Sequence, residues 1–273
     1  MNMWRIKMLQ ISIIEQVTPK AGQMFNLAVL IVAGIFVYIS YYLARKGRIW
    51  TIRPLEAIEA IQEGIGRAAE MNRPVLMFPG IGNLQNVQTI AGLTMLGEVV
   101  ERGARVNVPV NTIPSYTEIV TASEAIVRDA YNRAGKPELY QIGKYVKWFG
   151  ADQFVYAVGG AGYILAEKPA MVVFLGYFLA DVLVTGEAGS RVGALQIGGT
   201  GDQNAISLMA IVCDYILIGE EIYAASASIT GDKFQIATIA GQDWLKILMI
   251  LLMVVGVLSL AAGFSGILNL MKV

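Results

Sequence analysis

Two long apolar runs bracket this chain and limit what it can fold into. The first, residues 26–44, reads NLAVLIVAGIFVYISYYLA and holds no charged side chain. The second, residues 245–271, reads LKILMILLMVVGVLSLAAGFSGILNLM, with Lys246 alone at its entrance. Each reaches the roughly 20 mainly apolar residues that a helix needs to cross a bilayer; a buried core helix is the alternative for both. Tyr38, Tyr41 and Tyr42 close the first run, and aromatic rings of this kind favour the membrane interface. Composition agrees: 15% of the residues are charged, against about a quarter in a soluble domain, and the mean hydropathy is +0.56.

The flanking charges predict an orientation. Arg45, Lys46, Arg48 and Arg53 follow the first run, and Lys233 and Lys246 stand before or at the start of the second. The outer flanks hold Arg5, Lys7, Lys20 and Lys272. The positive-inside rule then places residues from about 45 to 244 in the cytoplasm, with both termini outside, in a multi-pass protein of the cell membrane. The first 25 residues put Trp4, Met8 and Ile11 on one helical face. They read as an interfacial segment, although a helix packed on protein would look the same.

Several chemistries are excluded at once. The chain has no histidine, so Ser-His and Cys-His pairs and the usual imidazole metal ligands are absent. Its one cysteine, Cys213, can form neither an internal disulfide nor a zinc or iron–sulfur site, and reads as a buried small hydrophobe. With 21 basic and 21 acidic residues the formal charge is zero, and no basic stripe with interleaved aromatics points to nucleic acid.

Between the runs, helical patterns alternate with short apolar ones. Helices are expected over 54–71, 83–102 and 115–134, with Gly103 stopping the second and Ser115-Tyr-Thr-Glu118 forming a capping box for the third. Strands are expected over 73–78, 105–110, 153–158, 181–185, 194–197 and 214–218. The fold class that follows is α/β: a mostly parallel, Rossmann-like sheet with helices on its faces, flanked by the two transmembrane helices. An internal repeat spans about 153–187 and 194–220. Asp181-Val-Leu-Val-Thr-Gly-Glu187 is echoed by Asp214-Tyr-Ile-Leu-Ile-Gly-Glu220. Each is preceded by an apolar helical stretch and a GGxG segment, which suggests two similar βαβ-like halves.

In a parallel sheet the turns after the strands meet along one edge, where α/β proteins bind ligands. Three glycine-rich segments are candidates for that edge: Gly80-Ile-Gly82, Gly159-Gly160-Ala-Gly162 and Gly198-Gly199-Thr200-Gly201. Their backbone amides suit a phosphate or carboxylate, so an anionic small molecule is the ligand such a site would take. None is a full GxGxxG and no P-loop lysine follows, and tight turns or close packing would use the same glycines. Glu187, Asp202, Glu220 and Glu221 are expected near that edge, as oxygen ligands, acid–base groups or caps of helix N-termini. No catalytic residue, cofactor or metal ligand set is singled out. Ser226 and Ser228 lie on a small-residue face with nothing placed to activate them. In the second apolar run, Ser259, Ala262, Gly263 and Gly266 form small-residue faces suited to helix association in lipid.

Around the repeat, Gly186-Glu187-Ala188-Gly189, Cys213-Asp214-Tyr215, Ile218-Gly219-Glu220-Glu221 and Tyr223-Ala-Ala-Ser226-Ala227 carry a family resemblance. The chain resembles an uncharacterised family of prokaryotic membrane proteins known only as a domain of unknown function, from the helix near Pro54 into the last run. The resemblance implies a two-span protein with a central α/β domain and supplies no catalytic residues. The expected function is a homo-oligomeric scaffold or partner-binding platform in the membrane. The alternative is a membrane-anchored nucleotide- or anion-binding sensor or enzyme, with Glu187 or Glu220 as metal ligand or acid–base group.

Overall fold

Five short apolar segments form one parallel sheet: β1 (Val75–Gly80), β2 (Val110–Thr112), β3 (Met171–Tyr177), β4 (Leu195–Thr200) and β5 (Tyr215–Ile218), in the order β2-β1-β3-β4-β5. The structure is a computed structural model that describes residues 21–48 and 50–262. It divides into two units: Ile52–Asp232, which holds the sheet, and a second built from the chain before and after it. The sheet unit carries α2 (Glu56–Met71), α3 (Val87–Arg105), α4 (Thr117–Arg133), α5 (Gln153–Glu167), α6 (Asp181–Val192), α7 (Gln203–Val212) and α8 (Glu221–Thr230). The second unit contains α1 (Ala21–Arg45) and α9 (Lys233–Ala261).

Side chains alternate along each strand, and this sorts the core into two layers. Val75, Met77, Val173, Leu175 and Ile197 pack with α2, α3, α4 and α8 on one face. Leu76, Phe78, Val172 and Phe174 pack with α5, α6 and α7 on the other. Covering both faces is what lets a strand such as β3 read as an unbroken apolar run. Val75 pairs with Val110 on one side and Met171 on the other. The chain therefore winds first toward β2 and then back past β1 toward β3, so the winding reverses between β1 and β3.

Several expectations need correction. Residues 153–158 are not a strand but the first turns of α5, capped by Asp152, whose Oδ1 accepts the Phe154 and Val155 amides at 2.9 and 3.2 Å. Residues 181–185 open α6, and the apolar stretch before them, expected as a helix, is β3. The first repeat copy is thus helix–strand–helix where the second is strand–helix–strand, so the two are not structural equivalents. Gly103 does not stop its helix, which runs to Arg105, and the strand expected at 105–110 is confined to Val110–Thr112. The capping box does not form: the Ser115 hydroxyl donates to the Gly80 carbonyl at 3.1 Å, and Glu118 Oε1 accepts the Leu84 amide at 3.0 Å.

In the second unit α1 and α9 pack together. Gly241 of α9 lies against the Ser40 hydroxyl at 2.6 Å from a built methyl position and against the Phe36 carbonyl at 3.2 Å. A small residue there lets the two helices approach closely. Phe36 meets Trp244 edge-on with ring centres 6.2 Å apart, and Tyr41 stacks on Phe234 at 4.8 Å. Both helices are long and apolar enough to cross a membrane. Of the expected interfacial segment, residues 1–20 lie outside the described residues and 21–25 open α1. The second helix begins at Lys233 rather than 245, and residues 263–271, with Gly263 and Gly266, lie outside the described residues.

Candidate functional site

The carboxyl ends of β1 and β3, on either side of the winding reversal, are where a sheet of this order offers a crevice. Here the crevice is pinched. Gly80 has φ +85° and a methyl group on it would overlap the Tyr177 carbonyl oxygen. Gly176 has φ +153° and faces the Pro79 carbonyl in the same way. Glycine alone tolerates both the torsion and the approach. The strand register shifts between Phe78 and Gly80, and the Ile81 amide still donates to the Tyr177 carbonyl at 2.8 Å. Gly82, just beyond, sits under the Thr89 side chain with no room for a methyl group.

The turn after β4 is filled from α3. The Gln88 side-chain oxygen accepts from the Thr200 hydroxyl at 2.9 Å and from the Gly201 amide at 2.7 Å. It stands where an anion oxygen would stand in a phosphate-binding turn. The next donors are also engaged: Asp202 caps α7, taking the Asn204 and Ala205 amides at 2.9 and 3.1 Å. Beneath the turn, a methyl on Gly198 would lie 2.8 Å from Cys213 Sγ, and one on Gly199 2.6 Å from Leu175. These two glycines admit side chains of the core.

Of the remaining candidates, the glycines of α5 and Glu187 do not join this edge, whereas Glu220 and Glu221 stand at it, after β5. Gly159, Gly160 and Gly162 lie inside α5, not in a turn after a strand. A methyl on Gly159 would lie 2.5 Å from the Phe149 ring and one on Gly160 2.7 Å from Phe78, and Gly162 has open space around it. Glu187 is in mid-helix and pairs with Arg191 one turn on, at 3.1 Å. Glu220 and Glu221 follow β5, and the Glu221 carboxylate accepts the Ile218 amide at 2.9 Å and pairs with Arg53. That pair borders a groove of about 410 Å³ along the free edge of β5. Among the described residues no three His, Cys, Asp or Glu side chains come together as a metal site.

Sequence reasoning missed the polar groups at the reversal itself. Asp181, at the start of α6, is 2% exposed; its Oδ1 accepts the Leu179 amide at 2.8 Å and the Gln153 side chain at 3.3 Å. Its Oδ2 has no hydrogen-bond partner among the described residues, and neither does the hydroxyl of the fully buried Tyr156. Burial raises the Asp181 carboxyl above the ordinary carboxylate range, only partly offset by those hydrogen bonds. Burial, with the Asp181 charge second, pushes the Tyr156 phenol well above its usual value. Two buried, unsatisfied oxygens at one place are what a buried water serves. The sequence signal for them is an aspartate directly after an apolar run, a position that also reads as the start of a strand.

A parallel α/β unit whose turn after β4 is filled by its own Gln88 and whose β1 and β3 ends are closed by backbone contact, in one chain with a pair of packed apolar helices, is the class these observations define. The chain belongs to the family described as Domain of unknown function (DUF6754), which it matches over residues 16–271. No curated protein and no solved structure matches it.

Proposed function

We propose that the protein is a homo-oligomeric membrane scaffold: α1 and α9 cross the cell membrane, and the sheet unit is a cytoplasmic platform for partners. The observation that carries the reading is the Gln88 clamp, which puts the chain's own amide oxygen on the Thr200 and Gly201 donors. A fold that fills the turn after β4 with its own side chain leaves its outer surfaces for contact with partners. Exposed apolar side chains on those surfaces, Phe154 and Ile211 among them, support contact with other proteins. The chain leaves α1 at Arg45 and enters α9 at Lys233, so two crossings keep the intervening unit and its basic flanks on one side. The test is the mass of the full-length chain in lipid nanodiscs by light scattering, where two or more copies are expected and a single copy contradicts the reading. For orientation, protease added to sealed inside-out vesicles should cut the sheet unit; protection would place it outside.

A second reading, a ligand-binding sensor or enzyme at the sheet's carboxyl edge, is favoured by one observation, the unpartnered oxygens of Asp181 and Tyr156. It calls for a small molecule that donates to the carboxylate and pairs with the phenol. Its test is a stoichiometric ligand on the purified chain that Tyr156→Phe releases.

A further inference from the structure

Helix α5 is apolar all round: between Asp152 and Glu167 it carries no charged side chain. Such a helix is normally covered on every side. One face meets the sheet through Tyr156, Gly160 and Ile164, yet among the described residues a second face beside it is left uncovered. Phe154 is 73% exposed, Val158 66% and Leu165 42%, with the half-buried Ala161 between them. At 3.6 residues per turn these four fall in one stripe. Their spacing of four, three and four is the seam spacing by which two helices interlock.

The stripe is also its own mirror. Phe154 and Leu165 are equally far from the point between Gly159 and Gly160, and so are Val158 and Ala161. We propose that α5 packs antiparallel against α5 of a second copy of this chain, about a twofold axis at that point. The pairing rests on the homo-oligomer reading above and specifies its contact surface. Phe154 then faces the partner's Leu165, and Val158 faces the partner's Ala161, the self-complementary contact a twofold requires. A groove of about 430 Å³ between α5 and α6, lined by Ala161, Leu165 and Val184 and by the paired Glu187 and Arg191, opens beside the stripe. The helix ends agree with this direction. Asp152 caps the N-terminus, and Glu167 and Lys168 at the other end offset each other, so an antiparallel pair is directed by setting opposite dipole ends side by side. A parallel pair would stack Phe154 on Phe154 and bring like ends together. A lipid surface would ask for a basic rim, whereas the ends of this helix carry Asp152, Glu167 and Lys168.

The test uses full-length chains in nanodiscs, one bearing Phe154→Cys and the other Leu165→Cys, with different tags and co-expressed. The native Cys213 does not compete, because burial, with the Asp214 charge second, pushes its thiol up to about 12. Mild oxidation should give the mixed disulfide in several-fold excess over either self-pair, and Val158→Glu added to both chains should abolish it. A Phe154→Cys self-pair would overturn the antiparallel arrangement. No disulfide in a chain that light scattering still finds oligomeric would overturn this seam and leave the scaffold reading standing, whereas a single copy per disc would overturn both. Quenching of a dye on Phe154→Cys by lipid-borne quenchers would assign the face to the bilayer and overturn the pairing as well.

Discussion

Gly159–Gly162 and Gly198–Gly201 share the pattern GGxG, yet one lies inside α5 and the other is the end of β4 and its turn. The neighbours decide. Asp152 caps a run that continues through Tyr163, Ile164 and Leu165 without a break, so the first trio of glycines is carried within a helix. Leu195, Gln196 and Ile197 enter the sheet beside β3, and the second set closes that strand under Gln88. The same divergence separates Asp181-Val-Leu-Val-Thr-Gly from Asp214-Tyr-Ile-Leu-Ile-Gly. The first follows a strand that already holds the sheet position, and its Gly186 and Gly189 turn toward Val212 and Gln196. The second supplies the edge strand itself and stops at Gly219, where φ is +60°. A glycine-rich pattern is therefore a statement about space around the backbone, and the element around it determines what fills that space.

That contrast can be broken by substitution. Gly199→Ala drives a methyl toward Leu175 and Leu217, at 2.6 and 3.0 Å, inside the sheet. It should cost about 2–3 kcal/mol, the upper part of the overpacking range, read from urea unfolding of the sheet unit within the full chain. Gln88→Ala leaves the Thr200 hydroxyl and the Gly201 amide without their partner and should cost about 1–2 kcal/mol; an unchanged melting temperature would show that the clamp contributes nothing. Gly160→Ala meets Phe78 at a similar distance, 2.7 Å. Helix propensity returns about 1 kcal/mol there, so it should cost less than Gly199→Ala. Equal costs would erase the difference between helix and strand context. The smallest effect concerns Asp181, whose folded carboxyl lies above its ordinary value of 3.8. Folding then favours the proton, so stability is full below that value and falls as pH rises through the folded one. Asp181→Asn should gain on the wild type between pH 4 and pH 7 in paired thermal melts; a gain on acidification would contradict the assignment.

Much of the sheet was legible because its strands advertise themselves locally. β1 lies between Pro74 and Gly80, β4 leads into a glycine turn, and β5 is a short run of Tyr and β-aliphatic residues ended by glycine. The two apolar helices were legible from length alone. What the pattern misplaces is α5, whose opening Gln153-Phe-Val-Tyr-Ala-Val158 has strand-like residues, and β3, whose apolar run reads as helix. Both errors come from short apolar runs whose periodicity cannot separate helix from buried strand. The glycine edge was half legible. Gly80, Gly82 and Gly198–Gly201 do gather at the carboxyl ends, but Gln88 reaches Thr200 from a distant helix. Asp181 and Tyr156 gain their character from burial beside β1 and β3, which no local pattern encodes.

Native mass spectrometry of the full-length chain, released gently from nanodiscs, tests the central claim most directly. It reads subunit number and retained small molecules in one spectrum. The account predicts an even number of copies at the mass of the bare polypeptide, because Gln88 and Asp202 already occupy the donors of the strand-end turn. A single copy carrying a stoichiometric nucleotide or phosphate compound would contradict it.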